Sequence, residues 1–336
     1  MKQIITFGEI MLRLSTPLNQ RFGQANSLEI NFGGGEANVA INLAQWNVPT
    51  AHVTYLPSND WGQACVAFFR KMGVSPAHII LEGDRIGVYF LETGSALRAS
   101  KIIYDRADSA FANLIPENID WEKIFENAQW FHWTGITPAI SESAAQACLQ
   151  ALQIAQKMGI TISADVNYRR NLWQYGKTVQ EVMPQLIEYC DVLVCAESDA
   201  DSILNIFPEE NEPNTFISIA QQVMARFPKV KQIITTRRNS ISATHNELKA
   251  ILWNGKDYLE TTNLDINPIV DRIGGGDAFI AGFIYGTLQY QDEQKALDFA
   301  NAASALKHTV FGDANLVSVK DVEEIMQGNV SGRLLR

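Results

Sequence analysis

The stretch Asp271-Arg272-Ile273-Gly274-Gly275-Gly276-Asp277 decides how this chain is read. Three glycines run into an aspartate, and Ala278, Phe279, Ala281, Gly282, Phe283 and Ile284 then continue as the pattern of a buried helix. Glycines leading into a helix start leave backbone N–H groups unpaired and aimed outward, where the helix dipole also favours negative charge. The segment is an anion cradle. An acid on its rim would be repelled by a bound anion, so Asp277 needs a reason to be there. Two are open at this point. Either Asp277 takes a proton from a hydroxyl while the cradle holds the group being transferred, or it caps the helix.

The chain around this segment has 336 residues, enough for one large α/β unit or two modest domains. Its 46% hydrophobic and 19% charged content fits an ordinary globular protein. No run approaches the roughly 18 apolar residues of a membrane span. The opening Met1-Lys2-Gln3-Ile4-Ile5-Thr6-Phe7-Gly8 enters strand-like sequence without a secretory signal's apolar core and cleavage site, so a cytoplasmic protein is expected. Cys65, Cys148, Cys190 and Cys195 lack CxxC spacing and read as buried thiols in a reducing compartment, not zinc ligands or disulfides. The net charge of −10 and the lack of a long Lys/Arg run argue against a nucleic-acid partner. Any anionic ligand must be met by local arginines, amides or metal ions.

Apolar, β-branched runs alternate with helical patterns along the chain. Strands are expected at 4–8, 52–56, 130–134, 161–166, 192–195 and 232–236. Helices are expected at 36–46, 62–72, 143–157, 199–205, 215–227, 276–289, 293–309 and 319–326. Such alternation predicts an α/β fold, a doubly wound and mostly parallel sheet covered on both faces, with ligands at the carboxyl ends of its strands. Residues 12–32 and 79–110 break the rhythm with hairpin-like stretches such as Gly87-Val88-Tyr89-Phe90-Leu91-Glu92 and Lys101-Ile102-Ile103-Tyr104-Asp105-Arg106. They read as a small inserted β-sheet, a lid, with extra edge strands on the main sheet as the alternative. One domain over 1–327 carries this lid, and the tail 328–336 reads as loose.

A second glycine cluster, Gly33-Gly34-Gly35-Glu36-Ala37-Asn38, precedes a helix with Val39, Ala40, Leu43 and Trp46 on its apolar stripe. Gly33 and Gly34 would let a ligand approach the backbone closely, and Asn38 in the first turn can both donate to and accept from a polyhydroxylated ligand. A tight structural turn explains the same cluster. A dinucleotide fingerprint does not, because the cluster is not directly after the first strand and Asn38 stands where the last glycine belongs.

Together, Gly33-Gly34…Asn38 and Asp271…Gly274-Gly275-Gly276-Asp277 resemble the motifs of the ribokinase-like carbohydrate kinases, the PfkB family, over nearly the whole chain. The resemblance implies ATP-dependent phosphorylation of a sugar hydroxyl, with Mg²⁺, on a doubly wound domain with a β lid. Asp277 would be the base, and the amides of Gly274, Gly275 and Gly276 the anion hole. Within the family, Tyr89 and Tyr104-Asp105-Arg106, Trp133-Thr134-Gly135-Ile136-Thr137-Pro138, and Asp165-Val166-Asn167-Tyr168-Arg169-Arg170 are similar to 2-keto-3-deoxygluconate kinases. A sugar acid carries a carboxylate, which an arginine holds with paired charge-assisted hydrogen bonds. Arg106 and Arg169 are the candidates, with Gly34, Asn38, Tyr89 and Tyr104 completing the sugar site. A surface ion pair with Asp105 or Asp108 is the alternative for Arg106.

The resemblance also implies that Asn167, Thr236, Arg237, Gly274, Gly276 and Asn301 face ATP. Three departures stand out. Where relatives have Asn-x-x-Glu acting through water on the metal, this chain has Ala196 and Asp199. Where they have a Gly-x-x-Gly turn, it has Thr235-Thr236-Arg237-Arg238-Asn239-Ser240. Arg272 follows Asp271 where threonine is common, which bears on the monovalent cation that the resemblance raises there. The expected reaction is phosphorylation of 2-keto-3-deoxygluconate at its 6-hydroxyl, by a homodimer paired through its lids or a higher homo-oligomer. Alternatives are a fructokinase or other neutral-sugar kinase, and a non-catalytic sugar- or nucleotide-binding regulator on the same fold.

Overall fold

Adjacent apolar residues on the first strand, Ile4 and Ile5, are buried in different hydrophobic clusters. Trp130 and Phe131 divide the same way, as side chains alternating across a strand must. The sheet between those clusters is therefore covered on both faces. The computed structural model describes residues 2–210 and 212–329. Its strands are β1 (Gln3–Phe7), β2 (Met11–Ser15), β3 (Glu29–Gly33), β4 (Thr50–Leu56), β5 (Ile79–Leu81), β6 (Val88–Glu92) and β7 (Lys101–Asp105). They continue with β8 (Ala128–Thr134), β9 (Thr161–Asp165), β10 (Val192–Val194), β11 (Gln232–Ser242), β12 (His245–Trp253), β13 (Tyr258–Glu260) and β14 (Leu264–Ile266).

The central sheet runs β13-β12-β11-β10-β9-β8-β1-β4-β5, with β14 paired to β12. From β11 to β5 every pairing is parallel, while β12 meets β11, β13 and β14 antiparallel. The chain adds β4 and β5 on one side of β1, then crosses to build β8, β9 and β10 on the other. Such a reversal leaves a crevice beyond the carboxyl ends of the strands. A second sheet, β3-β2-β6-β7, stands apart as the lid, with β2 and β6 parallel and the outer pairs antiparallel. The fold is the expected doubly wound α/β architecture with a small β lid.

Several elements differ from expectation. Residues 235–240 form no loop: β11 runs on to Ser242 and turns back into β12. The adjacent charges Arg237 and Arg238 hid a strand whose outer half is exposed. The antiparallel edge β12–β14 was likewise unforeseen. Ile79–Leu81 pairs with β4 on the main sheet and so lies outside the lid. The helix Val179–Ile187 contains Pro184, a breaker in sequence terms, but Thr178 and Glu181 cap its start. Residues 199–205 form a wide π turn, Ala200–Leu204, closed by Asn205 in the left-handed region. All four cysteines are buried and free. The expected loose tail lies, from residue 330, outside the described residues.

Candidate active site

Gly274 precedes the helix Gly275–Tyr290 with φ of 83°, a conformation glycine takes without strain, and a Cβ there would collide with the Asp313 carbonyl. The cradle therefore rests on the turn 307–313. Its first helical bond runs from the Ala278 N–H to the Gly274 oxygen at 2.9 Å. The amides of Gly275, Gly276 and Asp277 thus have no intrahelical acceptor. Ser304 Oγ donates to the Gly275 carbonyl at 2.8 Å and ties the cradle to the helix Glu293–Lys307.

Beneath lies a buried charge cluster. Arg13, on lid strand β2, donates from Nη2 to Asp271 Oδ2 at 2.6 Å and from Nη1 to Asp313 Oδ1 at 2.7 Å. The Tyr89 hydroxyl donates to Asp313 Oδ2. Asp271 also accepts from the N–H groups of Ile273 (3.0 Å) and Gly312 (3.2 Å). Lys307 Nζ donates to the main-chain oxygens of Asp271 (3.3 Å) and Val310 (3.0 Å). Through Arg13 the lid is joined directly to the first residue of the cradle motif.

Asp277 is not the helix cap, since Gly274 holds that position and no side chain bonds there. Its Oδ2 accepts from Asn38 Nδ2 at 2.7 Å. Burial in the cleft pushes the Asp277 carboxyl up to about 7, with Glu36 and Asp313 adding to the shift and Asn38 and Arg169 opposing it. A carboxyl poised near neutrality suits proton removal from a hydroxyl. Asn38 keeps its buried Oδ1 without a partner among the described residues. The preceding glycines are shaped by packing: a Cβ at Gly33 would strike the Asp313 carboxylate, and one at Gly34 the Glu9 carbonyl. Glu36, fully buried, accepts from the Thr134 N–H (3.0 Å), Thr134 Oγ1 (2.8 Å) and Thr137 Oγ1 (2.7 Å), bracing the helix start against the end of β8.

The two candidate arginines differ. Arg106 is paired, not with Asp105 or Asp108, but with Glu9 beyond β1, to which Nε donates at 2.9 Å. Asp105 is taken by Arg85. Arg169 follows β9, is exposed, and donates only to the Tyr168 carbonyl at 3.2 Å. Among the described residues no carboxylate pairs with it. Near it, Asp165 is pushed up to about 8 by burial and then by the charges of Asp199 and Asp277. Asp199 is also raised by burial, and its Oδ2 accepts from the Ala196 N–H at 3.2 Å. Asn167 stands at φ of 39°, its N–H donating to Asp165 Oδ1 at 3.1 Å. Arg237 makes a two-point pair with Glu197.

One cleft of about 810 Å³ is lined by Gly34, Asn38, Tyr89, Tyr104, Arg106, Asn167, Arg169, Asp199, Thr236, Arg237 and Gly274 to Asp277. Of the expected site residues only Asn301 is not in its wall. Asn301 is buried, donates to the Thr262 carbonyl at 3.1 Å, and lies one helical turn before Ser304, which does line the cleft.

Residues 1–320 match the family described as pfkB family carbohydrate kinase. The chain belongs to that family. It is 32% identical to a 2-dehydro-3-deoxygalactonokinase of Haloferax volcanii, across 98% of each chain. It is 26% identical to a 2-dehydro-3-deoxygluconokinase of Thermoproteus tenax, across 97% of this chain and 95% of the relative. Its structure superposes on the crystal structure of the 2-dehydro-3-deoxygluconokinase of Thermotoga maritima with a TM-score of 0.93 and 41% identity, covering 98% of this chain and 100% of that one.

In this PfkB kinase, sequence reading missed Arg13, Glu36, Ser304, Lys307, His308 and Asp313. Two left a local signal. Arg13 interrupts the apolar strand Met11-Leu12-Arg13-Leu14-Ser15, and Lys307 follows an alanine-rich buried helix face. Glu36, Ser304 and Asp313 are ordinary polar residues whose partners are remote in sequence, and His308 meets only the Ser304 carbonyl one turn back. Among the described residues no helix is long and apolar enough to cross a membrane.

Proposed function

We propose that this PfkB kinase transfers the terminal phosphoryl group of ATP to the 6-hydroxyl of 2-keto-3-deoxygluconate. The observation that carries this reading is Arg169, a guanidinium in the wall of the cleft that makes no ion pair among the described residues. A neutral sugar cannot give it paired charge-assisted hydrogen bonds, whereas a sugar acid brings the matching carboxylate. Arg106 is already matched by Glu9 and serves to hold the lid edge over the site. The relative named 2-dehydro-3-deoxygalactonokinase supports the galacto epimer as a second substrate, because the carboxylate contact is common to both.

Asp277 accepts the hydroxyl proton as that oxygen bonds to the γ-phosphorus and the bond to the β-phosphate oxygen breaks. The amides of the cradle stabilise the charge on the phosphoryl oxygens, and the lid residues Tyr89 and Tyr104 exclude water. Mg²⁺ fits the donor set. Among the described residues no group of three side chains could hold a metal alone, but Asp165 and Asp199 are crowded carboxyls that a cation would relieve. Such an ion would supply charge neutralisation at the phosphates, and Asp199 is the residue that would help hold it. Asn167, Thr236 and Arg237 would meet the nucleotide. The enzyme is read as one domain with an inserted lid, whose exposed Ile30 and Ile103, on the lid face away from Tyr89 and Tyr104, suit pairing between two copies.

An ATP-consumption assay across 2-keto-3-deoxygluconate, its galacto epimer, fructose and ribose tests the reading. A sugar acid is expected to exceed the neutral sugars by roughly 10- to 100-fold in kcat/KM, the worth of a charge-assisted contact. Equal kcat/KM for fructose would sink it.

A further inference from the structure

The monovalent cation raised by the family resemblance can be tested against the oxygens around Asp271. A dehydrated K⁺ needs several main-chain or carboxylate oxygens free to replace its water. Here two side-chain cations already use them. Lys307 is fully buried at the end of the helix Glu293–Lys307, where a cation also suits the helix dipole. Its Nζ donates to the Asp271 and Val310 carbonyls at 3.3 and 3.0 Å. Arg272 Nη2 donates to the Ala243 carbonyl at 3.1 Å on the β11–β12 turn. The carboxylates of Asp271 and Asp313 are taken by Arg13. Two carboxylates against Arg13 and Lys307 leave no net negative charge for an added ion, which would be repelled by an ammonium sharing its ligands.

We propose that Lys307 is a built-in cation that holds the Gly274–Gly276 cradle in place, so that this kinase needs no monovalent metal ion. The ammonium joins the cradle loop, through the Asp271 carbonyl, to the turn 307–313, through the Val310 carbonyl. Its stem packs beneath Gly274, where an added Cβ would lie 3.3 Å from Lys307 Cε. Burial lowers the Lys307 pKa to about 8 while the Asp271 and Asp313 carboxylates oppose that shift, so the group is charged at neutral pH. Lys307 is absent from the cleft wall, which makes it a positioning residue. The inference rests on the kinase reading of the cradle but not on which sugar acid is used.

The test begins with the wild-type enzyme at constant Mg²⁺ and ionic strength, in chloride salts of K⁺, NH₄⁺ or tetramethylammonium. Turnover is expected to agree within about twofold and melting temperature within about a degree, as for ions that do not bind the folded state. A several-fold gain in kcat with K⁺, or a rise in Tm specific to K⁺, overturns the proposal. This arm requires no variant to fold. Lys307→Ala removes the charge and opens space for an ion. It is expected to lose roughly tenfold or more in kcat, the scale of a displaced oxyanion donor. K⁺ or NH₄⁺ should then restore part of the rate and raise the Tm of the variant alone. A cooperatively melting variant that no cation rescues would refute the role of the charge. Failure of every sugar acid in the assay, with melting still indifferent to K⁺, would remove the substrate reading and leave this one standing.

Discussion

The floor of the cleft and its far wall carry the same kinds of side chains in opposite conditions. On the floor, Asp271 and Asp313 share Arg13, with Lys307 beside them, so each carboxylate has a cation. On the far wall, burial raises Asp165 and Asp199, the Asp199 charge adds to the Asp165 shift, and Arg169 opposes both without an ion pair to either. The floor is finished before any ligand arrives, and the wall is completed by one. The difference follows from the work of each. A cradle for a transferring group must be rigid and preorganised, whereas a wall that meets phosphates, a metal ion and a sugar carboxylate must keep charges to exchange.

The largest effect should come where the floor touches the chemistry. Asp277→Asn is expected to cost roughly 10²- to 10⁴-fold in kcat with ATP binding near normal, measured by turnover and by equilibrium binding. The pH profile of kcat/KM should rise until about 7 and then level, because only the ionised carboxyl accepts a proton. Stability should run the other way. The folded-state value of about 7 lies above the ordinary 3.8, so the folded protein binds this proton more tightly and loses stability as pH rises between the two. Asp277→Asn should therefore melt higher than wild type at pH 8, with the gap closing toward pH 4.

Removing the floor's own cation comes next. Arg13→Met strands Asp271 and Asp313 without their partner, and denaturant unfolding should show a loss of about 3–5 kcal/mol. A loss near zero would mean that the floor is no more settled than the wall. On the wall, Arg169→Ala should leave stability unchanged while raising KM for the sugar acid roughly 10- to 100-fold and leaving KM for a neutral sugar alone. An unchanged KM would break the comparison at its most informative point. The smallest effect belongs to Arg237→Ala. Its guanidinium is partly exposed and already paired with Glu197, so KM for ATP should shift by about fivefold or less.

Legibility in the sequence followed the range of the interaction. The cradle was readable because its glycines, its acid and its helix are contiguous, and the parallel sheet because strands buried on both faces are short apolar runs. The β11–β12 ladder was not, since its outer half is polar and its pairing depends on a returning strand. Arg106 was visible as a cation, but its partner Glu9 lies 97 residues earlier and no local pattern points to it. Asn301 looked suitable on its helix and shares a face with Ser304 and His308, yet it sits one turn further from the cleft, where its side chain meets the Thr262 carbonyl.

The amino-acid sequence by itself determined the fold class, the family motifs and the acid that faces the cradle, because those depend on residue spacing within single elements. Only the tertiary structure decided which charges are already satisfied. Arg13 meets Asp271 and Asp313 across 258 and 300 residues, and Lys307 meets the Asp271 carbonyl across 36. A buried charge is stable only beside its partner, and the partner is chosen by how the chain crosses itself.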